Sequence, residues 1–255
     1  MAGNTGTPGA TVVGRVLAVL GAFDETHSRL TMSAVARRAE LPLATTHRLL
    51  AELQRGDAVV RGEDGRYAIG RRIWDAGLLA PAQAGVRQIA SPFLNDLYAA
   101  TMATVHLAER DGTQVLYLDR VSGRASVPIV STIGSRLPMH ATGVGKVLLA
   151  HAPRAVQDAV LSSLTQVTRY TVTAPGRLRE QLGRVRRDGY AFTAEEMSLG
   201  ACSVAVPIRN AEDRVIASVG IVVPTLGANR LRLVTALNVA AQSIGRGLAR
   251  AGAQV

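Results

Sequence analysis

Residues 30–69 read LTMSAVARRAELPLATTHRLLAELQRGDAVVRGEDGRYAI. Thr31 can offer its side-chain oxygen to the free N–H groups of a helix start. Met32, Val35, Ala36 and Ala39 then recur at the spacing of one helix face. The helix must end near Glu40-Leu41, because Pro42 disfavours helical geometry in the residue before it. A second helix is predicted over about 42–55. Its inner face is Leu43, Thr46, Leu49, Leu50 and Leu53; its outer face carries Ala44, Thr45, His47, Arg48, Ala51, Glu52 and Arg55. Val59, Val60, Tyr67 and Ile69 suit two short strands, turned by Gly62-Glu63-Asp64-Gly65. Upstream, Val13, Val16, Leu17, Leu20 and Phe23 mark the inner face of a further helix over 11–23. Three short helices followed by a turned strand pair make a winged helix-turn-helix.

Such a module suits DNA. A helix about 10–12 Å across fits the major groove. Hydroxyls, a guanidinium and backbone N–H groups in its first turns can meet phosphates and base edges. The residues expected to do so are Ser33, Arg38, Ala44, Thr45, Thr46, His47 and Arg48 on the two helices. Arg61 and Arg66 belong to the wing. The competing reading is a protein-interaction module with a solvated basic face.

Net charge does not decide between them. The chain of 255 residues carries a formal +10, with a single lysine, Lys146. Residues 1–80 hold 10 Arg against 8 acidic residues, a surplus of only +2, so +8 lies in residues 81–255. Apolar residues make up 47% and charged residues 19%, a globular composition. No uninterrupted run of 18 apolar residues suggests a membrane span, and the N-terminus lacks a signal peptide's basic start and apolar stretch. One cysteine, Cys202, allows no intramolecular disulfide. A cytoplasmic protein with no membrane partner is expected.

Downstream, residues 71–101 read as helical, interrupted near Pro81 and Pro92. TVHLAERDGTQVLYLDRV (104–121) reads as a β-hairpin turning at Asp111-Gly112. Helices are predicted over 142–151, 153–164, 176–188 and 228–250, and strands over 190–194, 202–209 and 214–223. Mixed strands and helices imply a second, α+β domain.

Several catalytic patterns fail there. TGVGK at 142–146 lacks the Walker A glycine, since His140 stands five residues before Gly145, and Val147 replaces the hydroxyl residue after Lys146. Leu148 occupies the third glycine of a dinucleotide motif. No G-x-S-x-G elbow occurs. Adjacent Glu195 and Glu196 would point to opposite sides of a strand and suit a structural hydrogen bond or ion pair better than acid–base work. The five histidines show no metal spacing. No catalytic residue, metal or cofactor is assigned. What remains is a helix opening at 142–145, whose free N–H groups and two glycines suit either a ligand carboxylate or tight packing.

Over nearly its whole length the chain resembles the IclR family of bacterial transcription regulators. Residues 30–60 look like that family's helix-turn-helix. GSRLPMHATGVGKVLLA (134–150) looks like its central signature. DGYAFTAEEMSLGACSVAVPIRN (188–210) and RVIASVGIVVP (214–224) look like its C-terminal signature. Residues 1–9, small and rich in Gly and Thr with Pro8, read as a disordered tail. The resemblance implies a winged helix-turn-helix at 10–70, a linker helix at 71–86, and a GAF-like α/β effector-binding and oligomerisation domain at 87–251. It implies operator DNA as partner, a small organic acid or aromatic effector, and a homodimer or dimer of dimers that represses or activates genes. Effector contacts are expected from Ile129, Leu137, Gly143, Val144, Thr193, Cys202, Gly220 and Val222. Three of these depart from the commoner pattern: Thr193 stands where an acidic residue is frequent, and Gly220 and Val222 stand where serines are frequent. The expected pocket is therefore roomier and more apolar, suited to an aromatic acid more than to a two- or three-carbon acid. Enzymatic action on a small acid in the same pocket is the alternative from another class.

Overall fold

A computed structural model describes residues 11–24, 27–78, 84–123, 127 and 130–252. The expected tail, Pro81 and Ile129 lie outside the described residues. The chain divides into two compact units, Met1–Pro81 and Ala82–Val255.

The first unit contains α1 (Val12–Gly21), α2 (Met32–Arg38), α3 (Leu43–Arg55), β1 (Val59–Arg61), β2 (Tyr67–Ile69) and α4 (Arg71–Leu78). Thr11 and Thr31 cap α1 and α2, accepting from the N–H groups of Gly14 at 3.0 Å and Ala34 at 3.3 Å. The wing turns at Gly65, whose φ of +72° is easy only for glycine. Leu30 bonds to Tyr67 in both directions, adding a third short segment to the β1–β2 pair. Val19, Val35, Leu50 and Val59 form a sealed core, and each such side chain contributes roughly 1.5–3 kcal/mol. The predicted face of α1 needs correction. Val13 and Leu17 are exposed, and the helix turns Val19 inward instead, with Val16, Leu20 and Phe23 packed around it. Apolar residues occur on both sides of this helix, so periodicity alone did not fix its orientation.

The second unit is built on a six-stranded antiparallel sheet in the order β5-β4-β3-β8-β7-β6. The strands are β3 (Thr104–Asp111), β4 (Gln114–Val121), β5 (Arg136–Pro138), β6 (Ala191–Ala194), β7 (Cys202–Arg209) and β8 (Val215–Val223). Helices α5 (Ala84–Thr101) and α9 (Arg230–Gly252) cover one face. Helices α6 (Gly143–Ala150), α7 (Arg154–Leu161) and α8 (Pro175–Asp188) belong to the other. The two-residue strand period assigns the faces. Val105, Leu107, Val204, Val206, Val219 and Ile221 pack beneath α5 and α9, while Ala108 and Ala205 pack beneath α6.

Three expectations change here. Pro92 does not interrupt its helix: α5 runs through it. Proline removes one ladder bond, but burial of Ala90, Leu94 and Leu97 against the sheet holds the helix on both sides. Residues 84–86, expected at the end of the linker helix, open α5, whereas the helix after the wing is described over 71–78. Strand β5 was not foreseen; three residues ending in proline carry no readable alternation.

Candidate DNA interface and ligand cavity

In the first unit, α3 exposes Ala44, His47 and Arg48, with Thr45 half-buried. Ser33 is exposed on α2, and Arg61 and Arg66 are exposed on the wing. Two expected contacts are placed differently. Thr46 is wholly buried, and its hydroxyl donates to the Pro42 carbonyl at 3.1 Å. It falls on the inner stripe with Leu49 and Leu50 and so cannot meet DNA. Arg38 donates through Nε to the Ala22 carbonyl at 2.6 Å and through its guanidinium to Asp24 at 2.5 Å. It ties α2 to the end of α1 and is occupied in holding the module together. Arg61 lies over the Tyr67 ring, 5.5 Å from its centre, and Arg66 approaches Asp64 at 3.9 Å. On α3 the outward cationic groups are Arg48, beside His47, and Arg55, which pairs with Glu52.

In the second unit a cavity of about 50 Å³ lies between the sheet and the N-terminus of α6. That exceeds the roughly 10–15 Å³ that admits one water. Leu137, Gly143, Val144, Thr193, Gly220 and Val222, all expected at the effector site, line it together. Thr142 caps α6: its hydroxyl accepts from the Gly145 N–H at 3.1 Å, and its carbonyl accepts from the Lys146 N–H at 2.9 Å. The Gly143 and Val144 N–H groups are left as the open donors of the helix end. A Cβ on Gly143 would stand 2.5 Å from Ser203 Oγ, and one on Gly220 would stand 3.0 Å from Val144 Cγ1. Of the two glycines at the helix opening, Gly143 lets α6 settle closely on the sheet, and a Cβ on Gly145 would press on the Met139 carbonyl and the Thr142 hydroxyl, so both positions are closely packed.

Cys202 is not brought to the cavity. It packs against the cluster beneath α5 and α9. Alternation along β7 turns Ser203 inward instead, where its hydroxyl pairs with that of Thr193 at 2.7 Å. Opposite this pair are polar groups that the sequence reading did not single out. His106 and Tyr117 meet edge to face, with ring centres 4.9 Å apart. Nε2 of His106 is 2.9 Å from the Ser131 hydroxyl. Burial, assisted by the positive charge of Arg120, lowers the His106 pKa to about 3, so the ring is neutral at physiological pH. Burial pushes the Tyr117 phenol well above its usual range, with a partly offsetting hydrogen bond to Thr142. Only knowledge of strand register, Gly220 opposite His106, could have brought these residues into view.

Behind the cavity, Lys146 and Glu196 form a buried ion pair of 2.5 Å. Glu195 accepts from the Gly200 N–H at 2.9 Å. Both glutamates are thus structural, as their adjacency suggested. Met197 and Ser198, the next residues, line the cavity. Among the described residues no helix is long and apolar enough to cross a membrane.

A winged helix-turn-helix joined in one chain to a sheet domain with a lined cavity suits a DNA-binding transcription regulator with a ligand-binding domain. The IclR helix-turn-helix model matches residues 12–63, and the model of the bacterial transcriptional regulator IclR C-terminal domain matches residues 80–246. The chain therefore belongs to the IclR family. It is 34% identical over 212 residues to the Escherichia coli K12 HTH-type transcriptional regulator XynR, covering 82% of this chain and 84% of XynR. It is 29% identical over 230 residues to the E. coli K12 HTH-type transcriptional repressor AllR, covering 89% and 85%. It is similar in structure to an IclR homologue of Microbacterium hydrocarbonoxydans crystallised with 4-hydroxybenzoate. There the TM-score is 0.86 and the identity 34%, over 93% of this chain and 99% of that one. These relatives are regulators and not enzymes.

Proposed function

We propose that operator binding by this regulator is modulated by an aromatic carboxylate held in the α6 cavity. The observation that carries the reading is the open end of α6, at Gly143 and Val144, facing a cavity whose sheet wall is apolar at Gly220, Val222 and Ala205. A helix N-terminus favours an anion. The Thr193 and Ser203 hydroxyls add donors beside it. With Thr193 in place of an acidic residue, no carboxylate opposes the ligand's charge there. The flat apolar wall suits an aromatic ring, and a relative binds 4-hydroxybenzoate.

The same reading assigns Ser33, Ala44, Thr45, His47 and Arg48 to the operator, with Arg61 and Arg66 at its flank. It has the protein act in the cytoplasm as a homodimer or dimer of dimers. Ligand binding alters how two winged helices are held, and a coupling of about 1–3 kcal/mol is enough to change occupancy 5- to 150-fold. Isothermal titration of the full chain with aliphatic and aromatic acids tests the effector class. Binding of benzoates is expected; tight binding of glyoxylate or pyruvate, with no aromatic acid bound, would overturn it.

A further inference from the structure

A second cavity, also about 50 Å³, is enclosed by α8, β6 and the side chain of Lys146. It too exceeds the space that admits one water. On α8 its wall is Gln181, Arg184, Val185 and Asp188, a single stripe at i, i+3, i+4 and i+7. Strand β6 contributes Ala191 and Phe192. None of these residues lines the α6 cavity. Lys146 links the two. It lines this cavity, and its ion-pair partner Glu196 precedes Met197 and Ser198, which line the other.

The polar groups of this second cavity are incompletely paired. Gln181 Oε1 is sealed from water and has no hydrogen-bond partner among the described residues. Buried polar atoms are nearly always satisfied, so a further group belongs beside it. Arg184, less than one turn along α8, is exposed and makes no salt bridge among the described residues. Burial pushes the Lys146 pKa down, Glu196 pulls it back up, and the positive charge of Arg184 adds to the downward push. Two cations therefore share this wall, and Lys146 is the one with a carboxylate partner. Asp188 is exposed and lies about 10 Å along the helix from Gln181.

We propose that this cavity is a second ligand site, taking a small 2-hydroxy acid with its carboxylate on the Arg184 guanidinium and its hydroxyl on the Gln181 amide. Three residues along a helix are a rise of about 4.5 Å, which suits polar groups on adjacent carbons. A guanidinium holds a carboxylate through two parallel N–H bonds. A hydroxyl both donates and accepts, so it satisfies the amide in either orientation. An ammonium could only donate, and would stand beside the charges of Arg184 and Lys146. Val185 and Ala191, both buried, present an apolar wall to the acid's short carbon chain. A site built to bond a hydroxyl discriminates against the analogue that lacks it, because its own group is then left unpaired.

Isothermal titration of the full chain with both enantiomers of lactate and with propionate, which lacks the hydroxyl, tests it. Wild type should bind one lactate enantiomer at least fivefold more tightly than propionate. Gln181→Leu should reduce lactate affinity to the level of propionate. Arg184→Gln, an exposed change that spares the core, should weaken lactate at least fivefold and keeps the test open if Gln181→Leu fails to fold. Lactate bound no better than propionate, or not bound at all, overturns the proposal. So does lactate binding that survives Arg184→Gln and Gln181→Leu undiminished, which would place the acid elsewhere.

Discussion

Lys146 Nζ lies 2.5 Å from Glu196 Oε1, with both side chains almost sealed from water. The pair clamps α6 to the segment after β6, and each partner stands next to cavity-lining structure. Burial pulls the Lys146 pKa down, against the upward pull of Glu196. Removing one partner leaves the other buried and unpaired. Lys146→Met should therefore cost about 3–5 kcal/mol of unfolding free energy. The double variant Lys146→Met/Glu196→Met should recover most of it. Denaturant unfolding measures both; a double variant no better than the single one would contradict the pairing.

Gly143→Ala tests the close seat of α6. The new methyl would meet Ser203 Oγ at 2.5 Å and displace it from Thr193. Effector affinity should fall at least tenfold, or by about 1.4 kcal/mol. Adding Ser203→Ala should restore part of it by removing the clash. Unchanged affinity in Gly143→Ala would show that the helix end is not where the ligand sits.

Acid should loosen the second unit through His106. Its folded pKa, about 3, is depressed below the unfolded value near 6.5. The unfolded chain therefore binds more protons between those values, and stability is lost as pH falls from about 6.5 toward 3. The limiting slope is about 1.4 kcal/mol per pH unit. His106→Phe should flatten the dependence over pH 4–6. An unaltered slope in that variant would assign the acid sensitivity to other groups.

In the winged helix, Arg48 and Thr46 should part company. Arg48→Ala should weaken operator binding by about 1–3 kcal/mol with little loss of stability. Thr46→Ala should lower stability by about 1 kcal/mol through the lost bond to Pro42, while the folded protein keeps its operator affinity. Fluorescence anisotropy with operator DNA, paired with thermal unfolding, separates the two effects. The reverse pattern would exchange their roles.

Much of this architecture was legible in the chain. Thr31, the turn at Gly62–Gly65 and the inward stripe of Leu49 and Leu50 each announced a local structure, and the structure has them. The failures share a cause: the sequence shows periods but not what lies across a strand or beneath a helix. Leu17 and Val19 are both apolar, and only packing chooses Val19. Thr46 is the exception: its phase with Leu49 and Leu50 already put it on the inner face, which is incompatible with the DNA contact also expected of it. Cys202 and Ser203 differ by one step on β7, which is the whole difference between opposite faces. His106 was invisible because its neighbour in the cavity, Gly220, is 114 residues away and reaches it by antiparallel register. Pro92 read as a break because local propensity ignores the sheet that holds α5 in place.

The central claim is that a ligand in the second unit governs DNA binding by the first. The direct test is operator affinity of the full chain, with and without saturating 4-hydroxybenzoate, alongside titration that verifies its binding. A 5- to 150-fold change in operator affinity is predicted, corresponding to about 1–3 kcal/mol of coupling. A ligand that binds fully while operator affinity stays unchanged would contradict it.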